Sequence, residues 1–142
     1  MFCFSRAIAA AESTKVVTLM PDFLATIKNK AKEAHLHNIE IIWGNIEKLG
    51  GTKIKDGIVD AVVASNVLFQ VEDKEHFVLE IKRILKPNGL ALLIDWSESS
   101  VMGSKTVIPK NQAQEIFEKK GFVKERDIDA GAQHYGMILK KQ

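Results

Sequence analysis

Polar side chains follow four apolar strands of the predicted sheet, at the point where each strand ends. Thr18 closes the first strand, Asn45 follows the second, Asn66 follows the third, and Asp95–Trp96 closes the fourth. Ligands of parallel α/β sheets bind outside the carboxyl ends of the strands, so binding chemistry is expected at these residues. A hydroxyl, two amides and a carboxylate can hydrogen-bond a polar ligand. Each of these residues can equally lie where the chain simply leaves a strand or forms a turn, without binding anything.

Histidine and cysteine provide neither a metal site nor an evident nucleophile. Four histidines lack the spacing of a metal site: His35, His37, His76 and His134. His134 stands beside Tyr135 on the last predicted strand, and we interpret this pair as structural. Cys3 has no cysteine partner and no evident activating neighbour beyond Arg6, so we expect no nucleophilic role for it.

Length and composition restrict the class of protein. The chain has 142 residues, 46% hydrophobic and 27% charged, which matches one ordinary globular domain over residues 1–142. Twenty Lys+Arg against 18 Asp+Glu are interspersed along the chain, which argues against a nucleic-acid partner. No apolar run is long enough to cross a membrane, and Arg6 interrupts the signal-like N-terminus. With a single cysteine, the cytoplasm is the expected location.

Helical and strand patterns alternate along the chain. Helices are predicted at Phe4–Ala11, Pro21–Leu36, Glu72–Leu85 and Asn111–Lys120. Strands are predicted at Lys15–Leu19, Ile39–Trp43, Ile58–Ala64, Leu90–Ile94, Phe122–Asp129 and Gln133–Lys140. The alternation predicts an α/β fold with a mainly parallel sheet and helices on both faces. The last two strands, joined by Ala130–Ala132, are predicted to form an antiparallel hairpin.

Four segments and the final hairpin carry a family resemblance. The segments are Val17–Asp22, Asn38–Glu47, Val59–Gln70 and Ile84–Trp96. In this order they resemble the class I S-adenosylmethionine-dependent methyltransferases, and the hairpin is similar to the last two strands of that Rossmann-like fold. The resemblance covers nearly the whole chain.

The resemblance assigns expected roles to the strand ends. It implies that S-adenosylmethionine is the cofactor and that a small molecule accepts the methyl group. The cofactor-binding residues that it implies are Thr18, Leu19, Asn45, Ile46 and Asn66. Asp95 and Trp96 are the residues expected to face the substrate. No general base is strictly required, because the sulfonium is already a good electrophile, and no catalytic residue is assigned.

Three departures from the family pattern concern the cofactor site. The family's first strand and its G-x-G-x-G loop have no counterpart, since none of the nine glycines precedes Gly44. Thr18 stands where the family has an acid that accepts both ribose hydroxyls, and a threonine hydroxyl is a poorer acceptor. Asn45 stands where an aspartate often accepts from the adenine, a milder change. We interpret the pattern as a damaged cofactor site in a domain cut short at its N-terminus.

Two other functions remain open. The chain can be a non-catalytic remnant, or a module completed by a partner, that retains the fold without binding the cofactor itself. Loss of the first strand would expose the edges of strands 15–19 and 58–64, which favours self-association. A nicotinamide-dependent oxidoreductase fits the alternation of elements, but it explains neither the turn at Lys86–Gly89 nor the terminal hairpin.

Overall fold

The structure is a computed structural model that describes residues 13–18, 20–101 and 105–142. The predicted helix Phe4–Ala11 and the candidate site residue Leu19 lie outside the described residues. No helix among the described residues is long and apolar enough to span a bilayer.

The contacts of the chain divide it into two compact units, which we describe separately. Unit one runs to Ile46 and includes Gly51–Lys53. Unit two comprises Glu47–Gly50 and Ile54–Gln142. The expectation of one domain over the whole chain stays a prediction.

Unit one is a strand–helix–strand element. Strand β1 (Thr14–Thr18) lies parallel to β2 (Ile39–Trp43), and helix α1 (Pro21–Glu33) connects them. Proline suits the first turn of α1, because a backbone N–H at that position would have no acceptor within the helix, and proline has no N–H to leave unpaired. Leu24, Ile27 and Ala31 lie at helical spacing on α1 and are half-buried, Phe23 is 51% exposed, and no residue of the helix is fully buried. The parallel pairing confirms the predicted direction of these two strands.

Unit two contains a four-stranded mixed sheet and two helices. Its elements in chain order are β3 (Val59–Ser65), α2 (Lys74–Ile84), β4 (Leu85–Trp96), α3 (Lys110–Glu118), β5 (Phe122–Ile128) and β6 (His134–Lys141). The strand order is β3-β4-β6-β5, in which β3 and β4 are parallel and β6 is antiparallel to both neighbours. The terminal hairpin is therefore confirmed, and with the strand–helix alternation it gives the predicted Rossmann-like α/β class.

The start of β4 differs from the sequence expectation. The strand begins at Leu85, not at Leu90, and includes the segment Lys86–Gly89 that was expected to be a turn. Its pairing with β3 nevertheless jumps from Leu85 to Leu90, and Asn88 has a φ of 61°. The segment Lys86–Gly89 therefore forms a bulge within β4. Its proline and glycine lie inside the strand, not in a turn that precedes it.

The core of unit two lies between the sheet and its helices. Leu85, Leu93, Phe117 and Phe122 are fully buried, and the rings of Phe117 and Phe122 meet edge to face at 5.3 Å. Burial of a leucine or phenylalanine side chain contributes about 1.5–3 kcal/mol each. This packing supports the two central strands, β4 and β6.

Glu80 is a charged residue within this core. It is 1% exposed, and its carboxylate accepts hydrogen bonds from Gly50 N at 2.8 Å and from Arg83 Nε at 2.8 Å and Nη2 at 2.7 Å. The ion pair with Arg83 raises the pKa of that guanidinium, chiefly through the hydrogen bond to Glu80. Glu80 thus holds the loop at Gly50 against α2.

Replacement of Glu80 by alanine is expected to lower the free energy of unfolding by about 1–3 kcal/mol, because Gly50 N loses its buried acceptor while Arg83 retains its ion pair with Asp56. Urea unfolding measures this change. The control is Glu115→Ala, which removes an exposed carboxylate paired with Lys119 and should alter stability little. Equal urea midpoints for the two variants would contradict a structural role for Glu80.

Candidate functional site

The carboxyl ends of β3 and β4 meet at one edge of the sheet in unit two. Ser65, the last residue of β3, pairs with Ile94 of β4, and Asn66 N donates to Ile94 O at 2.9 Å. The structure therefore brings together three residues singled out from the sequence: Asn66, Asp95 and Trp96. What these residues bind stays a prediction at this point.

Asp95 is buried and already has partners within the protein. It is 1% exposed, its Oδ1 accepts from Trp96 N at 2.8 Å, and its Oδ2 accepts from Phe69 N at 3.2 Å. Burial raises the pKa of the Asp95 carboxyl, and these backbone hydrogen bonds oppose the rise. Asp95 therefore positions the loop after β3 against the end of β4.

Asn66 combines an unusual backbone conformation with an unsatisfied side chain. Its φ is 55°, in the left-handed region that asparagine tolerates better than most residues. Its backbone oxygen accepts from Gln70 Nε2 at 2.8 Å, which fixes the turn. Its Oδ1 is buried and has no hydrogen-bond partner in the described part of the chain. A buried amide oxygen at a strand end can accept a hydrogen bond from a ligand.

The first two residues of β6 join the same edge. Because β6 runs antiparallel to β4, His134 pairs with Trp96, and Tyr135 pairs with Asp95. The His134 and Trp96 rings lie 4.1 Å apart at 32°. His134 Nε2 and Tyr135 OH are buried without a hydrogen-bond partner among the described residues.

The sequence pattern indicated a structural role for His134 and Tyr135 and did not place them at this edge. The signal that could have found them is the predicted hairpin. An antiparallel strand beside β4 must begin where β4 ends, which places its first residues at the carboxyl edge.

The remaining candidate residues belong to unit one. Thr18 is the last residue of β1, and Asn45 and Ile46 follow β2, which ends at Trp43 as the sequence predicted. Asn45 N donates to Gly51 O at 2.9 Å. A Cβ at Gly44 would lie 2.5 Å from that same oxygen, so only glycine allows the backbones to approach so closely. Asn45 and Ile46 are half-buried.

Among the described residues, two other kinds of site, a metal centre and a surface depression, do not compete with the carboxyl edge of unit two. No group of three or more His, Cys, Asp or Glu residues is placed to hold a metal ion in the described ranges. A shallow depression at the other end of β3 and β4 carries Lys82 and Lys141. Lys82 Nζ donates to Lys120 O, and Lys141 Nζ donates to Lys82 O, each at 2.7 Å. These cations hold the C-terminal part of the fold together.

Comparisons with known proteins relate the chain to one family. The profile of the family described as "Methyltransferase domain" matches residues 3–93. A demethylmenaquinone methyltransferase of Listeria welshimeri is 38% identical over 80 residues, which are 56% of this chain and 33% of the relative. The chain thus spans 33% of the length of this curated relative.

Solved structures show the same fold. A SAM-dependent methyltransferase from Aquifex aeolicus matches with a TM-score of 0.87 and 17% identity, over 99% of this chain and 74% of that one. A putative type 11 methyltransferase from Sulfolobus solfataricus matches with a TM-score of 0.80 and 22% identity, over 99% and 78% of the two chains.

Tyr135 is the single tyrosine of the chain, so its ionisation can be followed alone by the ultraviolet absorbance of phenolate. Burial raises the pKa of its hydroxyl, and the charge of Asp95 adds to the rise. We expect the folded protein to titrate well above the ordinary value of 10.0, and the urea-unfolded chain to titrate near it. Stability should fall as the pH rises above that value, because only the unfolded state then ionises freely. Identical titrations in both states would show that the hydroxyl is not buried.

Proposed function

This chain belongs to the methyltransferase-domain family, and on that premise we propose that it binds S-adenosylmethionine and methylates a small-molecule acceptor. The observation that carries the proposal is the buried, unpartnered Oδ1 of Asn66 at the carboxyl edge of the sheet. It lies at the strand end where the resemblance places the amino-acid end of the cofactor.

The chemistry of Asn66 fits that end of the cofactor. A protonated amino group has only donors to offer, and the amide oxygen of asparagine is an acceptor. An unsatisfied buried acceptor costs about 1–3 kcal/mol, and a charged donor is among the groups that best remove that cost. The left-handed turn, fixed by Gln70 and Ile94, holds the amide in place before any ligand arrives.

The other residues of this edge support binding and alignment. When bound, S-adenosylmethionine supplies an electrophilic methyl group on its sulfonium. The task left to the protein is to hold the acceptor in line with that group. Asp95 fixes the loop after β3, and we propose that it shapes the acceptor side of the site together with Trp96.

The strand ends of unit one support a separate part of the proposal. We propose that Thr18, Leu19, Asn45 and Ile46 contact the nucleoside end of the cofactor. The support is the glycine-dependent turn at Gly44, which fixes the backbone of Asn45. For the acceptor, the name of the Listeria relative supports a small molecule.

Calorimetric titration with S-adenosylmethionine tests cofactor binding directly. We expect saturable heat with the unaltered chain. Asn66→Ala should weaken binding at least tenfold, since a hydrogen bond to a charged group contributes about 1.5–3 kcal/mol.

The matched control is Asn88→Ala. Asn88 also has a positive φ, at 61°, but it lies exposed in the bulge of β4. Both variants remove an asparagine from a left-handed turn, so only loss of a ligand contact separates them. No heat with millimolar cofactor, or equal affinities of the two variants, would contradict the proposal.

We also propose that the chain self-associates through β3. Within the described residues β3 pairs with β4 alone, and its sequence is mostly apolar, with Val63 43% exposed. The opposite edge strand, β5, carries a run of charged residues from Lys124 to Asp127, which is typical of a protected edge. The edge of β3 lacks that protection.

Light scattering tests this second proposal. The unaltered chain is expected to form dimers or larger species, and Val63→Lys should shift it toward monomer, because a lysine on an edge strand opposes pairing. Val123→Lys places the same charge at a 49% exposed position of β5 and should have little effect. A monodisperse monomer of the unaltered chain would refute association through this edge.

A further inference from the structure

Trp96 and His134 form an aromatic pair at the carboxyl edge of unit two. Their ring centroids are 4.1 Å apart, and the planes are inclined by 32°. Both residues are half-buried within the described structure. The main-chain pairing of Trp96 with His134 sets this geometry.

The imidazole of His134 has an unused nitrogen. Its Nε2 is buried and lacks a hydrogen-bond partner among the described residues, although the ring as a whole is half-buried. Beside it on β6, Tyr135 is 8% exposed, and its hydroxyl is likewise unpartnered. Consecutive residues of a strand point to opposite faces of the sheet, so the two groups need separate partners, and His134 Nε2 lies on the face that Trp96 shares.

We propose that Trp96 and His134 form the acceptor subsite, in which His134 Nε2 accepts a hydrogen bond from a hydroxyl of the methyl acceptor. This inference rests on the proposed function and deepens it. Trp96 then provides a flat apolar surface for the part of the acceptor that carries the hydroxyl. The proposal gives a binding role to a histidine whose position on the last strand had suggested only structure.

The same contact provides a path for the proton. When the hydroxyl gives up its proton, the proton goes to Nε2 and the electron pair stays on oxygen, which becomes the nucleophile.

A pair of probes that differ only in the hydroxyl proton tests the contact. Phenol can donate to Nε2, and anisole has the same ring without a donor. We expect phenol to bind the unaltered chain about tenfold more tightly than anisole. The measurement is the nuclear magnetic resonance shift of the Trp96 indole N–H, which Trp43→Phe identifies because the chain has two tryptophans.

Two variants of His134 complete the test. His134→Phe keeps a ring on Trp96 and removes the nitrogen, so it should abolish the preference for phenol and leave anisole binding unchanged. His134→Gln restores an amide acceptor and should recover part of the preference. A phenol preference that survives in His134→Phe would overturn the proposal. If circular dichroism shows that His134→Phe is unfolded, a preference that is reduced in a folded His134→Gln supports the contact, and an unaltered preference refutes it.

Titration of the same proteins with S-adenosylmethionine separates the two proposals. Cofactor affinity should be equal in the unaltered chain and in His134→Phe. A phenol preference that depends on His134, in a chain that binds no cofactor, would refute the proposed function and leave the subsite. Cofactor binding without a phenol preference would refute the subsite alone.

Discussion

The pairing of β4 with neighbours of opposite direction is the constraint on which the candidate site of unit two depends. Parallel pairing with β3 brings the ends of both strands to one edge, and antiparallel pairing with β6 brings the start of β6 to the same edge. Three chain segments that are far apart in sequence thus contribute Asn66, Asp95 and His134 to one place. A shift of one residue in the register of β6 would turn Tyr135 away from Asp95.

This arrangement leaves the polar groups at the edge in two different states. Asp95 has its oxygens bound by backbone N–H groups, so its burial is compensated. Asn66 Oδ1, His134 Nε2 and Tyr135 OH lack such partners within the described residues. Each unsatisfied group costs about 1–3 kcal/mol against a typical total stability of about 5–15 kcal/mol. Three such costs at one edge are a large fraction of that stability, and they motivate the proposal that a ligand satisfies groups at this edge.

The sequence predicted the elements of this fold better than it predicted the site. Apolar runs identified the strands because buried strands of α/β proteins are apolar almost throughout. The start of β4 was missed, since Lys86–Gly89 has the composition of a turn and bulges within the strand. The contact of His134 with Trp96 was not predicted, because the two residues are 38 positions apart by number and no local pattern reveals such a cross-strand pair.

Asn66 and Asn88 show why local sequence cannot separate a binding residue from a turn former. Both have a positive φ, and both follow the same local preference of asparagine for the left-handed region. Asn88 lies exposed in a bulge, where its amide is open to solvent. Asn66 also has a positive φ, directly after β3, but its Oδ1 is buried. The backbone requirement is shared, and the difference in burial of the two amides is what leads us to propose a ligand contact for Asn66 and not for Asn88.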